Sequence, residues 1–327
     1  MMLLTALPIA FLFPGQGSQE LNMGRDVAEA QSAAMDLWKL AEKLSGIKLR
    51  EIYWGDDGAT PAPEMSDTKA LQPALTVVNI SLWLATKPKA ETMQVIGTAG
   101  HSLGEFAALT AAGVLSVEDT IKAVAERGKL MASAGPPSGS SGHGMAAVVK
   151  LPLEVVEGIV DKAAKQTGAF LRIANHNSPA QYVLSGEKPA LDLASALVKE
   201  ARGRAVPLAV SGAFHSPLMS EPANVFATIL ESLRWQSAQF PVCMNVTGLP
   251  ERDPGILKTL LTAQMTSSVL WTTTMQSLYA AGARRFIELG PKSVLTKLVG
   301  QNLEGPPNGI GDAIAQSAGN MDAVMEL

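Results

Sequence analysis

An apolar segment at residues 95–99 runs directly into Gly100-His101-Ser102-Leu103-Gly104, and that into the helical pattern Phe106-Ala107-Ala108-Leu109-Thr110-Ala111-Ala112. A strand, a G-x-S-x-G turn and a helix in immediate succession are the context a nucleophile elbow requires. The glycines leave room for a strained turn that projects the Ser102 hydroxyl. The N–H of Leu103, at the helix start, is placed to help stabilise an oxyanion. The competing reading is a chance match in a turn rich in Gly, Ser and Ala, and the flanking strand and helix weigh against it.

The rest of the chain keeps the same rhythm. Short apolar segments alternate with helical patterns, which predicts an α/β fold with a mainly parallel sheet. Residues 9–13 read as a first buried strand and 95–99 as a second. Between them the spacing of Leu71, Leu75, Val78 and Leu82 predicts a helix over 68–84. Residues 135–144, rich in Gly, Ser and Pro, form the clearest loop. After it come strand 145–150, helix 153–164, strands 170–174 and 181–184, helix 190–200 and strand 205–208. That β-α-β-β-α-β order is ferredoxin-like. It predicts a compact subdomain over 144–207, inserted into a larger domain made of 1–143 and 208–327. In the second half of that domain, 242–245 reads as strand, 272–281 as helix and 285–289 as a final strand. The tail at 305–311 is Gly/Pro-rich, and 312–327 is expected to form a loose terminal helix.

At 327 residues, with 47% hydrophobic and 17% charged residues, the chain has ample material for a buried core. A net charge of −4 without long like-charged blocks argues against broad nucleic-acid binding. Cys243, the single cysteine, permits neither an intrachain disulfide nor a cysteine zinc site, and its apolar surroundings suggest a small buried hydrophobe. The N-terminal run lacks a basic region and passes into Pro14-Gly15-Gln16-Gly17-Ser18 without a small-residue cleavage site. No stretch is long and apolar enough to span a bilayer, so a cytoplasmic location without membrane attachment is expected.

A serine nucleophile needs a base. His101 adjoins the serine and points away at a sharp turn. His143 falls in the Gly-rich loop and His176 in the small subdomain. His215, within Gly212-Ala213-Phe214-His215-Ser216-Pro217, lies where the chain returns to the large domain, and position favours it. No acid announces itself as a third member among Glu118, Asp119, Glu126, Asp161, Glu187 and Asp192. A backbone or amide oxygen can orient a histidine instead, since the task is to fix tautomer and ring position. Residues 116–133 read as a helix with Ser116 as N-cap and Asp119 at the third position. On it Arg127 borders the apolar face, shared with Val124, Gly128 and Met131. Its guanidinium either snorkels from that face or clamps a substrate carboxylate.

Taken together these pieces resemble the malonyl-CoA:acyl carrier protein transacylase family over nearly the whole chain. The matching stretches are Phe13-Pro14-Gly15-Gln16-Gly17-Ser18-Gln19, Gln72-Pro73-Ala74-Leu75, Gly100-His101-Ser102-Leu103-Gly104-Glu105 and Arg127-Gly128. They continue with Asn175-His176-Asn177-Ser178-Pro179, Gly212-Ala213-Phe214-His215-Ser216, Asn245-Val246-Thr247, Gln264 and Glu288-Leu289-Gly290-Pro291. The resemblance implies an α/β-hydrolase-like core with a ferredoxin-like subdomain. It implies Ser102 as nucleophile, His215 as general base and then acid, and the N–H groups of Gln16 and Leu103 as oxyanion hole. Arg127 would bind the malonyl carboxylate, the backbone carbonyl near Gln264 would orient His215, and Gln72 would line the pocket. Asn175 and Asn177 would line the thioester channel. Phe214 resembles the malonyl-selecting form of its motif, a bulky ring leaving little room for an α-methyl branch. Two departures are visible: Pro291-Lys292-Ser293 replaces the more usual Pro-Gly, and the 135–144 loop is extended.

The implied reaction is ping-pong transfer of malonyl from coenzyme A to the phosphopantetheine thiol of an acyl carrier protein in fatty acid biosynthesis. Coenzyme A thioester enters as substrate, with no tightly bound cofactor and no metal. Lys199, Arg202 and Arg204 offer a docking patch for an acidic carrier, or are simply a solvated helix end. A polyketide or malonate decarboxylase system would use the same chemistry. A thioester hydrolase shares the elbow and histidine but has no need of Arg127. A non-catalytic binding subunit would not need Ser102, His215 and Arg127 intact.

Overall fold

Residues 9–13 are apolar without alternation, the pattern of a strand covered on both faces, and β1 (Ile9–Phe13) is buried at every position. The structure is a computed structural model that describes residues 7–55, 62–134, 142–210, 212–303 and 312–327. The 305–311 tail, residues 135–141 of the expected loop and the first six residues lie outside the described residues.

After β1 come α1 (Arg25–Ala30), α2 (Ser32–Ser45), α3 (Leu49–Tyr53), α4 (Thr68–Ala90) and β2 (Val95–Gly100). Then follow α5 (Gly104–Ala111) and α6 (Val117–Ser133). The helix expected at 68–84 continues to Ala90 through Pro73 and Pro88. Each proline removes a backbone hydrogen bond. Burial along nearly the whole of α4, which packs between α2, α5 and α6, offsets that loss. Helix α6 starts as its cap signature predicts, the Ser116 hydroxyl accepting from the Asp119 N–H at 3.0 Å.

The next stretch holds β3 (His143–Val149), α7 (Leu153–Thr167), β4 (Leu171–Ser178), β5 (Gln181–Glu187), α8 (Lys188–Glu200) and β6 (Arg204–Pro207). These strands form their own antiparallel sheet in the order β4-β5-β3-β6. A separate apolar cluster, including Val148, Val156, Leu184, Ala194 and Val198, packs that sheet onto α7 and α8. His143 opens β3 opposite Glu187 and so belongs to the sheet rather than to the preceding loop.

The chain then continues through α9 (Ser220–Glu231), β7 (Val242–Cys243), β8 (Pro250–Glu251), α10 (Pro254–Ala263) and α11 (Trp271–Ala280). It ends with β9 (Arg285–Glu288), α12 (Val294–Leu303), β10 (Ile314–Ser317) and α13 (Met321–Met325). The main sheet runs β10-β9-β1-β2-β7-β8, parallel except for the short edge strand β8. Side chains of β1 alternate between its two faces: Ile9, Phe11 and Phe13 join the larger core, Ala10 and Leu12 the smaller one. No described helix is long and apolar enough to cross a membrane.

One expectation of secondary structure needs correction. Residues 312–327 are not a loose helix: Ile314–Ser317 adds a parallel edge strand to β9, and only Met321–Met325 is helical. Strand pairing across the sheet, invisible to local periodicity, overrides the helical pattern. The short turn after Pro291 holds Lys292 at φ 68° and Ser293 at φ 53°, left-handed conformations that glycine adopts at less cost. The Glu288 carboxylate then accepts from the Leu295 N–H at 3.0 Å and the Thr296 N–H and hydroxyl at 2.7 Å, starting α12.

Candidate active site

The carboxyl ends of β1 and β2 open toward the small sheet, and the elbow stands between them. Ser102 has φ 50°, a strained value for a residue with a side chain. Packing enforces it. A Cβ at Gly104 would overlap the Phe13 carbonyl, and one at Gly100 would overlap the Gly104 backbone, so neither position tolerates a side chain. Asn245 fastens the turn from behind, its Oδ1 accepting from the Ser102 N–H at 2.7 Å and its Nδ2 donating to the Gly100 carbonyl at 2.6 Å.

His215 reaches the serine from 113 residues away, its Nε2 2.7 Å from Ser102 Oγ. It too has a positive φ, 57°. The Nδ1 atom faces two carbonyls, those of Gln264 at 3.1 Å and Ser267 at 3.2 Å. Carbonyls only accept, so Nδ1 carries the proton and Nε2 is left to accept from the serine hydroxyl. Burial pushes the imidazole down to about 3; the Arg127 charge pushes the same way and the two carbonyls oppose. The ring is therefore neutral at physiological pH, the form a general base needs. Backbone oxygens occupy the place a carboxylate holds in a Ser-His-Asp triad.

Arg127 is 1% exposed, which removes snorkelling as an account of it. Its NH1 donates to Gln72 Oε1 at 2.9 Å and its NH2 to Gln264 Oε1 at 2.8 Å, with Ser102 Oγ 3.4 Å away. Its Nε has no hydrogen-bond partner among the described residues. Burial lowers its pKa to about 10, against the pull of Glu105, so it stays cationic at neutral pH. A buried cation with spare donors beside a serine hydroxyl is suited to a carboxylate.

These groups line a cavity of about 240 Å³. Ser102, Leu103, Arg127, Phe214 and His215 form its floor, together with Gly15 and Gln16. The small sheet supplies Met145, Ala147, Asn175, Asn177 and Val183, and α12 supplies Val294, Leu295 and Leu298. The N–H groups of Gln16 and Leu103 have no partner among the described residues, which leaves both donors unused. Asn177 Oδ1 lies 2.8 Å from His101 Nε2, and His101 packs 5.3 Å from the Trp271 ring, turned from the serine as its position suggested. His176 stacks edge-on to Tyr182 and is not on the wall. Gln72 departs from expectation: it stands behind Arg127, with its Nε2 3.2 Å from Met131 Sδ, and does not line the cavity.

Asn245 and Glu105, both buried and both within the stretches that carry the sequence resemblance, have no role in the sequence reading. Glu105 was visible as an acid within the apolar run that follows the elbow, and in the structure it is fully buried. Cys243 lies on β7, fully buried, and burial pushes its thiol up to about 12.

The acyl transferase domain family matches residues 10–322. A malonyl CoA-acyl carrier protein transacylase of Bacillus subtilis (strain 168) is 38% identical over 293 residues, 89% of each chain. Among solved structures, an acyl-carrier-protein S-malonyltransferase from Bartonella henselae superposes with a TM-score of 0.88 at 32% identity, covering 98% of both chains. A malonyl transacylase in complex with its type II polyketide acyl carrier protein superposes with a TM-score of 0.87 at 31% identity, covering 97% of this chain and 98% of that one.

Proposed function

The chain belongs to the malonyl-CoA:acyl carrier protein transacylase family, and from that premise we propose how its own residues carry malonyl from coenzyme A to the thiol of an acyl carrier protein. The observation that carries the reading is a permanent cation, Arg127, buried within 3.4 Å of the hydroxyl that His215 activates.

Malonyl-CoA seats its carboxylate on the free Arg127 N–H groups. The Ser102 hydroxyl gives its proton to His215 Nε2 while Oγ bonds to the thioester carbon. The resulting oxyanion is met by the Gln16 and Leu103 N–H groups. The carbon–sulfur bond breaks, and the imidazolium hands its proton to the departing coenzyme A sulfur. An imidazolium disfavoured by burial and by Arg127 releases that proton readily. In the second half the carrier's thiol gives its proton to His215, its sulfur bonds to the malonyl carbon, and Ser102 Oγ leaves and recovers the proton. Ester and thioester are close in energy, so positioning and oxyanion stabilisation carry the catalysis.

The Gln264 carbonyl orients the histidine. Asn175 and Asn177 line the thioester channel, Phe214 narrows the acyl end, and Gln72 acts by holding Arg127. The small unit over 144–207 is read as ferredoxin-like on its strand order, with 1–143 and 208–327 as an α/β-hydrolase-like core. No tightly bound cofactor takes part. Fatty acid synthesis in the cytoplasm is the assigned setting, and the polyketide relative keeps a polyketide carrier as the second reading. The exposed Lys199, Arg202 and Arg204 at the end of α8 and on β6 offer such an acidic carrier a landing site.

Intact-protein mass after brief mixing with malonyl-CoA tests the proposal. A malonyl adduct that Ser102→Ala lacks, discharged by a carrier protein and stable to water, is expected. Rapid discharge without any carrier would make the protein a hydrolase instead.

A further inference from the structure

Behind the elbow, one carboxylate joins the parts that hold the site. Glu105, the second residue of α5, has Oε1 2.5 Å from the Asn245 N–H and Oε2 2.7 Å from the Gln264 Nε2. Those two partners do the remaining positioning. Asn245 holds the Ser102 N–H. Gln264 Nε2 donates a second hydrogen to the Ser102 carbonyl at 2.8 Å, its Oε1 receives Arg127, and its backbone carbonyl faces His215.

We infer that Glu105 is the positioning residue of this site, its carboxylate holding Asn245 and the Gln264 amide in the one arrangement that presents Ser102, Arg127 and His215 together. The inference rests on the Ser102 acyl-enzyme reading above. The chemistry of the donors makes it specific. Both neighbours of Glu105 donate, so both of its oxygens must accept. An amide in its place would set a donor against a donor, and so would a protonated carboxyl. The carboxylate adds an acceptor for the Gln264 nitrogen beside the Ser102 carbonyl, and so reinforces the orientation in which the amide oxygen faces the guanidinium.

The arrangement is therefore sensitive to protonation. Burial raises the Glu105 carboxyl to about 7, against the hydrogen bonds from Asn245 and Gln264 and the charge of Arg127. The other titratable groups around this network are Arg127, lowered to about 10, His215, lowered to about 3, and His101, also lowered by burial. None of these gains a proton near pH 7. As pH falls through that value, Glu105 protonates, one of its two bonds is lost and the presentation loosens.

The test is the rate of Ser102 acylation by malonyl-CoA, read by quenched intact-protein mass across mildly acidic to basic pH, for the unmodified chain, Glu105→Gln and Glu105→Asp. As pH falls, the unmodified chain should slow with a midpoint near 7. Glu105→Gln should be slowed about a hundredfold, the cost of a reacting group misplaced by about 1 Å, and should lack that midpoint. Glu105→Asp, which keeps the charge, should recover part of the rate and retain an acidic midpoint. Full activity in Glu105→Gln, or an unchanged midpoint, overturns the inference. Should the amide variant not fold, Glu105→Asp decides: a rate and an acidic midpoint both equal to the unmodified chain's overturn it. An unmodified chain that forms no adduct at any pH removes the acyl-enzyme reading and this inference with it, an outcome distinct from a normal adduct whose rate ignores Glu105.

Discussion

Replacing Arg127 by alanine should separate charged from uncharged acyl groups. The guanidinium has five N–H donors, and the bonds to Gln72 and Gln264 leave three of them, one loosely directed at Ser102 Oγ. A malonyl carboxylate taking two of these gains about 1.5–3 kcal/mol from each charge-assisted bond, about 3–6 kcal/mol together. At 1.4 kcal/mol per factor of ten this is about 10²–10⁴ in kcat/KM. The substitution also strips the Gln72 and Gln264 side-chain oxygens of their donor, damage that every acyl group would feel alike. The quantity to measure is therefore the ratio of kcat/KM for malonyl-CoA to that for acetyl-CoA, in which shared damage cancels. The ratio should collapse by the factor above. A ratio that stays within about threefold of the unmodified chain's would show that Arg127 serves the scaffold and not the carboxylate.

Phe214 is buried on the cavity floor beside His215, and Phe214→Ala should open space at the acyl carbon next to the thioester. Methylmalonyl-CoA should gain on malonyl-CoA by about 10–100-fold in relative kcat/KM, the scale of a methyl-sized fit in an apolar pocket, and competition between the two thioesters reads it directly. His215 should make the folded chain sensitive to acid. Its folded pKa lies far below the unfolded value of 6.5, so below pH 6.5 the unfolded chain binds a proton that the folded chain refuses. Its contribution to stability is thus fully present above pH 6.5 and is lost as pH falls toward 3. Urea midpoints for the unmodified chain and His215→Gln, compared at neutral and acidic pH, should show the variant gaining on the parent as the medium is acidified.

The parts of the fold that could be read along the chain are those whose cause is local. Ser116 caps α6 through a hydroxyl three residues from its donor, and the strand-turn-helix at Ser102 is written in adjacent residues. The run from β3 to β6 announces itself by its sequence of periods. Helices α1, α2, α3, α9, α10 and α12 have no counterpart in the sequence reading, although Asp253 followed by Pro254 carries a start signal for α10: its carboxylate accepts from the N–H groups of Gly255 and Ile256. For α12 no adjacent residue supplies the cap. Glu288, seven and eight residues upstream, reaches it across a turn of unusual backbone.

By itself, then, the sequence determined a parallel α/β scaffold, an elbow bearing Ser102, an inserted antiparallel unit and a short list of histidines, because short-range sterics and hydrophobic period specify such features. Local pattern left four histidines with only position favouring His215, which the family resemblance implied as base; the tertiary structure closes that one to 2.7 Å from the serine. It added the Ser267 carbonyl to the Gln264 carbonyl that the resemblance implied as the histidine's partner, and it decided that Gln72 stands behind Arg127 rather than on the wall. Asn245 and Gln264 lie 143 and 162 residues from Ser102. Contacts at such separation leave no periodic trace in the chain; they exist only once the sheet has brought its strand ends together.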